Sequence, residues 1–211
     1  MIGFFLNTRV VAKPGPLLHR FTIYGTSHRD DHCAVLIGSE QSHDNSRARS
    51  TREDRQMAIT FQFHYPIERT MAFEKEYHPN LRLTLADKRD LLQTRSAISI
   101  WMFDGARLVG ETYGVPWNGK DDLIGFPRDP EAVYCYSNTI LSKYQGKGYG
   151  AILKAAFIGR VSCDFKRIYG HARPGPSQEL NKKFGAKMGK TYKNWFGTGE
   201  DYRIYVLPLH R

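Results

Sequence analysis

The chain has 211 residues, of which 41% are hydrophobic and 13% aromatic, enough to fill one core and too many for general disorder. No apolar run approaches the roughly 18 residues of a membrane-spanning helix. The short apolar start, MIGFFLN, precedes its Arg, whereas an export signal places the charge first. A formal net charge of +10 attracts polyanions, either nucleic acid or a cofactor with several phosphates. No zinc-finger spacing, helix-turn-helix signature or aromatic RNA-binding motif accompanies that charge, so nucleic-acid binding is a secondary reading. Cys33, Cys135 and Cys163 are odd in number and sit at no metal-ligand spacing. They read as reduced thiols in a cytoplasmic protein with no metal site.

Residues 1–56 differ from the rest of the chain. They hold seven Arg against one Lys, whereas residues 57–211 hold eleven Arg and twelve Lys. Four of the eight His fall there too (His19, His28, His32 and His43), and Ser39 to Gln56 reads as a solvated linker with Ala48 as its one apolar residue. Two readings compete. One is a small appendage with a hairpin through FTIYGTSHRDDHCAVLIG; the other, favoured by the abrupt change in composition, is an upstream extension of the reading frame with Met57 as the true start.

From Met57 the elements can be taken in order. Ala58 to His64 alternates as a strand, and a helix opens near Ile67 and stops near Pro79. LTLADKRDLLQ reads as a second helix capped by Thr84. AISIWMF is a strand, joined through Asp104-Gly105 to RLVGETYGV in a hairpin. A loop from Pro116 to Pro130 precedes a strand from Ala132 to Leu141. Lys147 to Val161 is a helix with Ile152, Leu153, Ala156 and Phe157 on one face. Phe165 to His171 is a strand, Ser177 to Phe184 a short helix, and the tail has strands around Tyr192 and from Tyr202 to Leu207. The order β-α-α-β-β-β-α-β-α-β-β defines a mixed α/β fold, with residues 57–211 as its domain.

The informative segment is NTILSKYQGKGYGAILKAAF. A strand ends, three glycines alternate at 146, 148 and 150, and a helix begins at once. Glycine backbone can approach phosphate oxygens and take dihedrals that side chains disfavour. The first N–H groups of the following helix then point at the anion, with the helix dipole behind them. Lys147 adds a charge. The bland alternative is an ordinary turn with glycines at its bends. A P-loop needs Gly-x4-Gly-Lys-Ser/Thr, which is missing. The dinucleotide fingerprint needs a different glycine spacing inside an early parallel unit.

Gln145-Gly146-Lys147-Gly148-Tyr149-Gly150 resembles the Gln/Arg-x-x-Gly-x-Gly/Ala signature of the GNAT superfamily of N-acyltransferases. LNKKFGAKMGKTYKNW resembles, more weakly, that family's last short helix before a final strand pair. The resemblance spans about residues 57–207. It implies a central, mostly antiparallel sheet splayed at the cofactor site, with helices on both faces. It also implies that acetyl-CoA or another acyl-CoA places its diphosphate on the amides of Gln145, Gly146, Lys147, Gly148, Tyr149 and Gly150. The pantetheine arm then lies along Thr139, Ile140 and Leu141, and an N–H near Ile140 or Leu141 holds the thioester oxygen. A primary amine attacks the thioester directly.

Two positions depart from the family pattern. Asn181 stands where a Tyr often protonates the leaving thiolate, and an amide is not a proton donor of that kind. Pro174 stands where an Asn often touches pantetheine, with Ser177 as a substitute. Glu111 is the first candidate for the general base and Tyr192 for the acid, followed by His171 and Tyr202. Tyr134 and Tyr136 are candidates to line the site. Each also reads as a packed or solvated residue. Trp101, Trp117 and Trp195 read as core or cleft wall. The departures leave a non-catalytic protein of the same fold as the alternative.

Overall fold

A computed structural model describes residues 32–33, 59–77, 84–94, 96–119, 125–197 and 199–209. The elements are β1 (His32–Cys33), β2 (Ile59–Gln62), α1 (Ile67–Tyr77), α2 (Leu85–Arg89), β3 (Ile98–Asp104), β4 (Arg107–Pro116), β5 (Ala132–Ile140), α3 (Tyr149–Val161), β6 (Arg167–Ala172), α4 (Pro176–Lys183), β7 (Lys187–Tyr192) and β8 (Tyr202–Pro208). The strands form one sheet in the order β1-β2-β3-β4-β5-β6-β8-β7. Neighbours are antiparallel except β5 and β6, which run parallel.

From Ile59 onward the expected order of elements holds. Two ends differ for local reasons. The second helix is α-helical only to Arg89 and continues to Thr94 as a wider π turn, which brings Leu91 into the core. Its start is as expected: the Thr84 hydroxyl accepts the Asp87 N–H at 3.1 Å while the Asp87 carboxylate accepts the Thr84 N–H at 2.8 Å. Helix α3 begins at Tyr149 rather than Lys147 because Gly148 is left-handed, at φ +85°. Of residues 1–56 only His32 and Cys33 are described, and they pair with Gln62 and Phe61 of β2. The expected hairpin through residues 21–38 otherwise lies outside the described residues.

Small residues on β4 decide where α3 lies. A Cβ on Gly110 would strike Ile140 and approach Leu153, and one on Gly114 would strike the Tyr134 carbonyl and Phe157. These glycines let Leu153 and Phe157 of α3 pack directly on the strand. Alternation sends Glu111 and Tyr113 to the opposite face, where Glu74 of α1 and Lys88 of α2 meet them.

There the Lys88 ammonium is fully buried between two carboxylates, 2.6 Å from Glu74 and 3.0 Å from Glu111. Burial pushes the Glu111 carboxyl up to about 8 against the pull of Lys88, and Glu74 on the same ammonium adds to the push. The triad thus ties α1 and α2 to the sheet. Removing its cation would strand both carboxyls in the core. Lys88→Met is expected to cost about 3–5 kcal/mol of stability in urea unfolding. Arg89→Ala, which breaks only an exposed pair with Glu68, is expected to leave the midpoint nearly unchanged.

Candidate functional site

Strands β5 and β6 pair from Ala132↔Arg167 to Cys135↔Gly170, and then part. Beyond that point β5 stays with β4 as far as Ile140, while β6 stays with β8 through Ala172. A β-bulge marks the divergence: Gly114 faces Cys135 but Tyr113 faces Ser137, so Tyr136 is the extra residue. The Leu141 N–H donates to the Val109 carbonyl at 3.0 Å. Alternation along an antiparallel pair therefore turns the backbone groups of Thr139 toward β4 as well, and those of Asn138 and Ile140 toward the gap. Of the two amides expected near the thioester, Ile140 and Leu141, that of Leu141 is committed to β4, and that of Ile140 faces the gap together with Asn138.

At the open end of the gap lies the glycine turn. A 3-10 turn (Ser142–Tyr144) leads into Gly146 at φ +74° and Gly148 at φ +85°. Two side chains pin it from behind. The Tyr144 hydroxyl donates to Asp104 at the β3–β4 hairpin, at 3.1 Å, and the Gln145 amide donates to the Ile140 carbonyl at 2.9 Å. Among the described residues, no acceptor takes the N–H of Gly146, Lys147, Gly148 or Gly150. A Cβ on Gly146 or Gly148 would meet nothing within 4 Å, while one on Gly150 would rest against Leu180 of α4 at 3.7 Å. The turn is an unfilled cradle of donors at the start of a helix, with Lys147 beside it.

Buried polar atoms with no hydrogen-bond partner single out the same region. Four occur among the described side chains: Glu74 Oε2, Asn138 Oδ1, His171 Nε2 and Asn181 Oδ1. The last three belong to β5, β6 and α4, the elements that border the gap. Such atoms are costly unless something is bound to them. Asn181 is 6% exposed and donates its amide to the Ser177 carbonyl at 2.9 Å. A carbonyl can only accept, so the Asn181 oxygen is the atom left over, and Asn181 offers an acceptor at the position where the family has a proton donor.

On the face away from α3, His171 Nδ1 and the Tyr134 hydroxyl lie 2.7 Å apart. The His171 ring stacks on Trp195, with centroids 3.9 Å apart. Burial lowers His171 to about 4. Tyr192 on β7 packs edge-on against His171 and Trp195, and a Cβ on Gly125 would collide with its hydroxyl. Tyr202 is the cross-strand partner of Tyr192. Glu111 is 1% exposed with both oxygens on Lys88. Tyr136 stacks on Tyr113, Trp101 and Trp117 are buried, and Pro174 is exposed.

Sequence reasoning placed Asn138 on the splaying strand without singling out its side chain, and missed Lys154 and Tyr205. Two signals were present for the last two: Lys154 stands one residue from Leu153 inside the apolar helix, and Gly170 interrupts a strand, which marks a close approach. Among the described residues no helix is long and apolar enough to cross a membrane, and no three His, Cys, Asp or Glu gather as a metal-ligand set.

No family model matches the sequence, and no curated protein matches it. Solved structures do match the fold. The acetyl-CoA complex of Arabidopsis thaliana NAA60 superposes with a TM-score of 0.58 at 16% identity, over 70% of this chain and 97% of that one. The ribosomal-protein-S18-alanine N-acetyltransferase from Escherichia coli gives 0.56 at 12% identity, over 72% and 95%. The GNAT-like decarboxylase GphF, in complex with isobutyryl-CoA, gives 0.60 at 13% identity, over 71% and 99%. The chain shares the fold of these GNAT structures: a mixed sheet, splayed between its two parallel strands, with helices on both faces.

The His171 environment makes a prediction about stability. Its folded value lies below the ordinary 6.5, so the unfolded chain binds more protons between about 4 and 6.5. Its contribution is present above pH 6.5 and is lost as pH falls toward 4. The urea midpoint of the wild type is expected to drop across that window by more than that of His171→Phe, which keeps the stacking and removes the titration. Equal drops would place the titrating group elsewhere.

Proposed function

We propose that the protein is an N-acyltransferase that binds acyl-CoA, acetyl-CoA being the first candidate, and passes the acyl group to a primary amine by direct attack. The observation that carries this is the run of unoccupied amides at Gly146, Lys147, Gly148 and Gly150, set at the mouth of a gap between parallel strands. Four donors without an acceptor among the described residues, a helix N-terminus and Lys147 suit a diphosphate. The gap supplies the backbone groups of Asn138 and the N–H of Ile140, whose carbonyl is held by Gln145, for the amides of a pantetheine arm added to β5 as an extra strand. The residues present therefore fit the cofactor. It would supply the activated thioester; the chain supplies placement and proton transfer.

In this reading the cofactor set is Gln145, Gly146, Lys147, Gly148, Tyr149 and Gly150 for the diphosphate, and Thr139, Ile140 and Leu141 as the strand beside the arm, joined by Asn138. Gln145 serves by holding the turn and Leu141 by anchoring β5 to β4. The proton acceptor is His171, neutral above about pH 4 and held by Tyr134 and Trp195. For this to operate, Nδ1 donates to the Tyr134 oxygen, which leaves the Nε2 lone pair free. Glu111 holds the α1–α2 triad, and Tyr192 forms part of the aromatic wall around His171. The acceptor is an amine whose identity the wall and the 116–130 loop select.

Asn181 favours a second reading, a protein of this fold that binds acyl-CoA without turnover. Release of free thiol across a panel of amines separates the two. For binding itself, acetyl-CoA at about 100 times its Kd is expected to stabilise the chain by about 2.7 kcal/mol. Gly148→Asp, which puts a carboxylate in the cradle, is expected to abolish that stabilisation while the protein stays folded. Gly150→Ala, whose methyl would make ordinary contact with Leu180 and Ile140, is expected to keep it. Wild-type stabilisation in Gly148→Asp would remove the cradle from the site.

A further inference from the structure

Helix α3 carries a buried lysine with no carboxylate paired to it among the described residues. Lys154 is 1% exposed, and its ammonium donates to the Tyr205 hydroxyl at 3.1 Å while lying over the ring, 5.0 Å from the centroid. Burial lowers its pKa. Such a charge is costly, and one phenol compensates it only in part. The titratable groups facing Lys154 are Tyr205 from β8 and Cys135 from β5.

The location is what gives this pair a use. Tyr205 is the cross-strand partner of Gly170, and a Cβ on Gly170 would collide with its ring and hydroxyl. The ring therefore lies across the bare Gly170 backbone, and its hydroxyl reaches toward Cys135. Cys135 and Gly170 are the last pair before β5 and β6 separate. The Tyr205 hydroxyl thus sits at the closed apex of the gap, on the α3 and α4 face, with Lys154 behind it. His171 and Tyr134 flank the same gap on the opposite face.

If the diphosphate rests on the glycine turn at the open end, the extended arm directs its sulfur toward that apex. Asn181 leaves the departing sulfur without a proton donor from α4. We propose that Tyr205, backed by Lys154, protonates the thiolate of coenzyme A as it leaves. This rests on the acyltransferase reading and adds its missing acid. The amine nitrogen bonds to the thioester carbon and gives a proton to His171. The carbon–sulfur bond breaks, its electron pair goes to sulfur, and the Tyr205 hydroxyl gives its proton to that sulfur. Lys154 passes a proton to the Tyr205 oxygen in the same movement, so no free phenolate accumulates; His171 then releases its proton to solvent, and the lysine regains one from solvent. The products are an amide and a free thiol.

The test uses the full chain with acetyl-CoA and an amine that the wild type acylates. Tyr205→Phe keeps the ring and removes the hydroxyl. The expected result is a kcat lower by about 100-fold or more, with the acetyl-CoA KM and ligand-induced thermal shift within twofold of wild type. A variant kcat within threefold of wild type overturns the proposal. Should Tyr205→Phe fail to fold, the pH profile of the unmodified protein decides. Its kcat is expected to fall on the alkaline side below pH 10.5, the ordinary lysine value, and a kcat level through pH 10 overturns the proposal. Acetyl-CoA binding without turnover of any amine in the wild type would instead overturn the acyltransferase reading, and this acid with it.

Discussion

Backbone groups that leave a sheet must find other partners, and in this chain β5 leaves β6 after Cys135. The extra residue at Tyr136 changes which side of the strand each amide faces, so Asn138 and Ile140 open onto a gap rather than a neighbour. The unpartnered atoms of Asn138, His171 and Asn181 all belong to elements around that gap. At its open end Gly146 and Gly148 take left-handed dihedrals that leave their N–H groups free. A continuous β5–β6 ladder would close the gap and leave the glycine turn with nothing to serve.

The charges around the gap are arranged in two different ways. Lys88 lies between Glu74 and Glu111, and the three together fasten α1 and α2 to the sheet. Among the described residues Lys154 has Tyr205 and the flank of Cys135. Lowered basicity is the physical consequence in the second case, and a raised Glu111 carboxyl in the first. The proposed reaction needs one group to accept a proton from the amine and another to give one to sulfur. His171 and Tyr205 stand on opposite faces of the splayed strands, where those two tasks are separated in space.

Much of this was legible from the residues. The glycine spacing at 146, 148 and 150 placed the turn, strand alternation placed β3, β4 and β5, and Thr84 marked the start of α2. What could not be read was long-range pairing. Glu111 looks like a free carboxylate on a strand until α1 and α2 fold over it with Lys88 and Glu74. Tyr205 looks like one more tail aromatic until β8 is set against β6 and the absent side chain of Gly170 lets the ring cross. Which face of β5 keeps its partner depends on a single-residue bulge, and a local pattern of hydrophobicity does not encode that count. Asn181 reads as a departure from the family pattern, but its orientation needs the Ser177 carbonyl in place.

The central claim is that bare amides along the glycine turn and the gap-facing edge of β5 bind an acyl-CoA. It is tested most directly by amide NMR of the isotopically labelled chain during titration with acetyl-CoA. The account predicts that the Gly146, Lys147, Gly148 and Gly150 resonances shift together with those of Asn138 and Ile140. Saturable binding that leaves those six amides in place and moves others would contradict it.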